Sequence, residues 1–191
     1  EAATEAARCF ARGAAGVGEL NADAQGFDLA DPTALAPLAE VCVAHDRPLL
    51  LHASEPVGHA YPGKGTATPE KLLAMLAAQP ALRVVLAHWG GGLPFYELMP
   101  EVALLPANVA YDTAASSYLY RPAVFRAVID VVGAGRVLWA SDHPVLSMGR
   151  FLRRTLAEGG LRPDELGPVL EENAVRVYRL DGDGPDREGG T

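Results

Sequence analysis

Positive charge and cysteine are both scarce in this sequence. Sixteen Lys and Arg stand against 24 Asp and Glu in 191 residues, a net charge of −8 at pH 7. No basic run occurs, so nucleic acid is not an expected partner, because phosphate backbones are met by clustered Lys and Arg. There is no stretch of about 18 apolar residues and no charged-then-apolar leader, so neither a membrane span nor a signal peptide is expected. The two cysteines, Cys9 and Cys42, lie in helix-like segments far from any CxxC spacing. They read as buried reduced thiols, not as a disulfide or a thiolate metal site. These absences together point to a cytoplasmic protein.

What is present is material for one core. Hydrophobic residues make up 49% of the chain, with 20 Gly and 15 Pro, enough for a single sizeable domain. The opening EAATEAARCFARG reads as a helix that Gly13 terminates. After it, strand-like runs alternate with helix-like ones. AAGVGEL, RPLLLHASEP, LRVVLAHW, NVAYDTA and RVLWASDHP read as strands. DPTALAPLAEVCVAHD carries Leu35, Leu38, Cys42 and His45 at helical spacing, with Asp31 as cap and Pro32 in the first turn. TPEKLLAMLAAQ repeats that start with Thr68 and Pro69, and LPFYELMPEVALL reads as a helix broken near Pro100. RPAVFRAVIDVVGAG, LSMGRFLRRTLAE and DELGPVLEENAVRVYRL supply the remaining helices. The polar, Gly-rich end, 181–191, reads as a disordered tail, leaving 1–180 as one domain.

The order βαβαβαβαβα predicts an α/β fold with a parallel sheet covered by helices. Its strands are continuous apolar runs, which fits burial on both faces. An open doubly wound sheet and a (β/α)8 barrel both satisfy that pattern.

The strand ends say more. Glu19, His52, His88, Asp112 and Asp142 each close one strand, and no strand carries an ionisable residue in its middle. In a parallel sheet those ends share the face where the sites of such folds sit. A Glu, two His and two Asp converging there make a metal-ligand set. Any one of them alone has a bland reading. A strand-end histidine is more often structural, and Glu19 and Asp112 fit turn or packing roles equally well. Five in register favour a site, led by His52, His88 and Asp142. The glycines after His88 allow close approach of backbone or substrate. In the loop EPVGHAYPGKG, the residues Glu55, His59 and Lys64 are candidates for binding an anionic substrate, with ordinary loop polarity as the alternative. His45 reads as a packing residue and His143 as a neighbour of the site.

The segments LLLHASEPVGHAYPGKG, VVLAHWGGGLPFYELMPEV, YDTAAS, VLWASDHP and ENAVRVYRL resemble the second half of the amidohydrolase-related metal-dependent hydrolases. The branch is that of aminocarboxymuconate-semialdehyde decarboxylase and related carboxy-lyases. The resemblance spans Gly13 to Leu180. It implies a distorted (β/α)8 TIM barrel with a divalent metal, usually zinc, at the C-terminal face. It implies His52 and Asp142 as metal ligands, and Asp142 and His88 as the catalytic residues that handle a metal-bound water. Glu19 becomes a candidate additional ligand. The family opens with a His-x-His on its first strand, and this sequence has none. The five strands are therefore expected to be the fourth to the eighth, with the first three βα units lacking.

The resemblance implies a metal-dependent hydrolase acting on a small, carboxylate-bearing substrate. A carboxy-lyase would use the same residues and is the first alternative; a non-catalytic partial barrel, which predicts no bound metal, is the second. A dinucleotide-binding fold is disfavoured because GGGLP lacks the G-x-G-x-x-G spacing. A metal-dependent nuclease is disfavoured by the acidic charge. The partner expected is a small molecule, and the relatives imply a homodimer.

Overall fold

The computed structural model describes residues 1–103 and 108–180, so the segment read as a tail lies outside the described residues. Among the described residues, five short strands form one sheet: β1 (Val17–Leu20), β2 (Leu49–Leu51), β3 (Val84–Leu86), β4 (Val109–Asp112) and β5 (Val137–Leu138). Every pairing is parallel, and the strands stand in the order of the sequence. A doubly wound sheet reverses its order at a switch point, whereas a barrel adds each strand beside the last. Of the two folds the pattern allowed, the sheet takes the barrel form, as five consecutive strands of one.

Alternating residues along the strands serve two cores. Leu49, Leu51, Val84, Leu86, Val109 and Tyr111 pack with Leu38, Cys42, Leu72 and Leu76 of the helices Ala36–Ala44 and Pro69–Ala78. The residues between them, Leu50, Val85, Ala110 and Leu138, meet Val177 and Tyr178 of the last helix, Asn173–Tyr178. Both faces are thus covered, which is why the strands carry no polar alternation. A third cluster joins Phe125 and Val128 of the helix Val124–Val132 to Phe151 of the helix Met148–Glu158. Trp89 completes it, meeting Phe125 edge to face at 5.0 Å.

Three expectations are corrected. The helix read from Asp31 begins at Ala36, because Asp31 Oδ1 accepts the N–H and hydroxyl of Thr33 at 2.8 and 2.7 Å. That local turn competes with helical hydrogen bonding. The helix read over LPFYELMPEVALL, with its break near Pro100, is a single turn, Leu93–Tyr96, that ends before the proline. Just beyond it, the buried Glu97 carboxylate takes the Tyr111 hydroxyl and an ion pair from Arg136. β5 is two residues long because Trp139 N–H donates to Val169 O (2.8 Å), outside the sheet. Cys42 is buried and unpaired as expected, with burial pushing its thiol up to about 11. Among the described residues no helix is long and apolar enough to cross a membrane.

Candidate metal centre

The strand ends meet at one edge of the sheet. Glu19 is the penultimate residue of β1, His52 follows β2, His88 stands two beyond β3 and Asp112 ends β4. Glu19 Oε1, His52 Nδ1 and His88 Nε2 form a triangle with sides of 2.8, 3.2 and 3.3 Å. Among the described residues, these three form the group whose ligand atoms all lie within 4.8 Å of one another. Donor atoms about 2.1 Å from a cation stand roughly 3.0 to 3.4 Å apart, for octahedral to tetrahedral angles. The triangle therefore fits one face of either polyhedron. Two imidazoles and a carboxylate suit a divalent cation, with the remaining positions left for water or substrate.

The chain reaches this geometry through an unusual backbone. His88 to Gly92 all have positive φ, from 56° to 92°, a left-handed turn. Two non-glycine residues in that region store strain of about 1 to 2 kcal/mol each, so the surroundings must hold them. Asp112 Oδ1 accepts the His88 N–H at 3.0 Å, and Trp89 Nε1–H donates to Ser116 Oγ at 2.7 Å. The glycines are needed here. A Cβ on Gly90 would lie 2.8 Å from the Tyr111 ring, and one on Gly91 would fall on the Ser54 carbonyl.

The three side chains are electrostatically matched. Burial alone would raise the Glu19 carboxyl, but hydrogen bonds from His52 and His88 outweigh it and hold the group at about 2. Burial pulls His88 down, while Glu19 and the charge of Asp112 together lift it to about 9. Glu19 is thus an anion and His88 a cation in the absence of a metal, and a divalent ion would displace the His88 proton. Burial raises Asp112 to about 6.

The triangle opens on a cavity of about 520 Å³. Asp142 lines the same cavity and carries a positive φ of 62°. It joins the site at the cavity wall, outside the close group of Glu19, His52 and His88. His59 also lines the cavity. Glu55 and Lys64 are turned elsewhere: Glu55 Oε2 accepts the Tyr61 hydroxyl at 3.0 Å, and Lys64 Nζ donates to the carbonyls of Val57 and His59. His143 is exposed, and His45 ends its helix against Phe10. Residues absent from the sequence reading form the apolar walls, namely Tyr61, Tyr118, Leu119 and Val145. No periodicity marks them, since they come from loops and a single turn. Ser54, two residues after His52 at the strand end, shares its face and is a position that strand periodicity alone points to.

A profile of the amidohydrolase family matches residues 1–180. The chain belongs to the amidohydrolase family. Solved structures agree with the chain on the fold. They include 2,6-dihydroxybenzoate decarboxylase from Rhizobium (21% identity, TM-score 0.62, 82% of this chain and 58% of that one). A dihydroxybenzoic acid decarboxylase from Polaromonas, with bound manganese and an inhibitor, matches at 21% identity and TM-score 0.60, over 77% and 54%. A TIM-barrel protein of uncharacterized function from Bordetella bronchiseptica matches at 22% identity and TM-score 0.63, over 84% and 55%. The chain therefore spans little more than half the length of each. Among curated proteins none matches it.

Proposed function

We propose that this chain carries part of a divalent-cation-dependent carboxy-lyase site acting on a small aromatic carboxylate. The observation that carries the reading is the Glu19–His52–His88 triangle at the floor of a cavity walled by Tyr61, Tyr118, Leu119 and Val145. Charge at the floor suits a carboxylate, and apolar walls suit the flat ring that bears it. The names of the similar structures support the same choice, since dihydroxybenzoates are carboxylated rings. Manganese is a candidate beside zinc.

A bound cation supplies Lewis-acid charge that orients a carboxylate and holds developing negative charge. Glu19, His52 and His88 would hold that cation, with Asp142 facing it from the cavity wall. The apolar walls would orient the ring over the cation. As the bond to carbon dioxide breaks, its electron pair stays on the ring carbon and a proton must take the vacated position. Asp142 is the group on the wall for carrying that proton.

Hydrolysis is the second reading, favoured by Asp142 as a base for a water in the same cavity. One experiment separates the two. Cation content is measured by elemental analysis, and carbon dioxide release from 2,6-dihydroxybenzoate is followed for the chain, His52→Ala and Asp142→Asn. A bound cation with release lost in both variants supports the lyase. Ester or amide cleavage without carbon dioxide release replaces it with the hydrolase, and a chain that takes up no cation removes both readings.

A further inference from the structure

Ser54 sits where three parts of the site cross. It is fully buried, and its Oγ lies 3.2 Å from His52 Nε2, the ring nitrogen that faces away from Glu19 and His88. The same Oγ accepts the Gly65 N–H at 2.9 Å, and the Ser54 N–H donates to Ala67 O at 2.9 Å. Its carbonyl abuts the left-handed turn that aims His88, at Gly91. Residues 55–66, tied at this base, carry His59 and Tyr61 onto the cavity.

We infer that Ser54 is a positioning residue. It fixes the His52 ring so that Nδ1 faces the cation, and it couples cation binding to the order of the loop 55–66. The inference rests on the metal reading above. His52 Nδ1 lies 2.8 Å from Glu19 Oε1, and Nε2 lies 3.2 Å from the Ser54 hydroxyl. Were Nδ1 to hold a cation, the neutral ring would carry its proton on Nε2 and donate it to Ser54 Oγ, which already accepts the Gly65 N–H. A ring fixed in this way anchors the loop through one oxygen.

The test uses Mn²⁺ as probe, with free ion followed by its paramagnetic resonance signal, on the whole chain, Ser54→Ala and Ser54→Thr. Loss of the hydroxyl is expected to weaken Mn²⁺ binding about 10- to 100-fold, and Ser54→Thr, which keeps it, to retain most of the affinity. Hydrogen exchange supplies a readout that a packing role would not move. Mn²⁺ is expected to slow exchange of the Gly65 amide about fivefold in the parent chain, and not in Ser54→Ala. Parental affinity in Ser54→Ala overturns this inference while leaving the metal reading intact. A parent chain that binds no Mn²⁺ overturns both. Should Ser54→Ala not fold, the parent chain still decides, because an unchanged Gly65 exchange rate on binding Mn²⁺ overturns the coupling.

Discussion

Asp112 Oδ1 accepts the backbone N–H of His88 at 3.0 Å, and the same oxygen accepts the N–H of Ala114 at 2.9 Å. One side chain at the end of β4 thus fixes the start of the left-handed turn on the neighbouring strand. Asp112→Ala removes both bonds and leaves two buried donors. The expected loss is about 3 kcal/mol of unfolding free energy, read from urea denaturation at pH 7. Asp112→Asn keeps an acceptor and is expected to cost about 1 kcal/mol. Equal losses in the two variants would show that the bonds to His88 and Ala114 are not what the site depends on.

The glycines of the turn offer a sharper comparison. Gly91 and Gly26 both have positive φ, 61° and 72°, but a Cβ at Gly91 meets the Ser54 carbonyl while one at Gly26 meets open space. Gly26→Ala is expected to cost about 1 kcal/mol, the left-handed penalty alone. Gly91→Ala adds overpacking and is expected to cost about 3 kcal/mol or more. Thermal melts of the two variants check the difference, and similar midpoints would remove the close approach as the reason for glycine.

His88 gives the stability a pH dependence. Its value near 9 in the fold exceeds the ordinary 6.5, so the folded chain holds the proton more tightly than the unfolded one. The stabilisation is full below pH 6.5 and is lost as pH rises through 9. The lowered value of Glu19 describes the same ion pair and is not added to it. Without added metal, about 2 to 3 kcal/mol of stability is expected to disappear between pH 6.5 and 9. His88→Gln is expected to flatten the profile in that window. A parent profile already flat in chelator would sink the Glu19–His88 pairing.

Much of this molecule was legible before any geometry. The βα alternation and the polar residues at the ends of β1 to β4 follow from burial, because a core strand tolerates an ionisable group only where it leaves the sheet, whereas Asp142 stands four residues beyond β5. His52, His88 and Glu19 converge on that account, and HWGGG already demanded glycine. Other features depend on partners remote in the chain. Asp31 caps no helix because Thr33 captures its oxygen, and Glu97 is buried because Arg136 and Tyr111 meet it. The turn of Lys64 toward its own loop carbonyls is likewise set by local closure, which a charge count does not contain. The cavity walls come from loop residues without period, so only the folded chain brings Tyr61, Tyr118 and Val145 together.

Asp142 allows charge to be separated from shape. Its φ of 62° lies in the left-handed region, which Asn enters nearly as readily as Asp and which Ala enters at a cost. Its backbone oxygen already accepts the Val145 N–H at 2.7 Å, a bond that survives any side-chain change. Asp142→Asn is therefore expected to leave stability within about 0.5 kcal/mol, whereas Asp142→Ala is expected to lose about 1 kcal/mol to backbone strain. If Asp142 carries the proton in the reaction, turnover should fall about 10²- to 10⁴-fold in both. Melting curves and carbon dioxide release, measured on the same preparations, read the two effects apart. Turnover that falls only in Asp142→Ala would assign Asp142 to the turn and take it out of the chemistry.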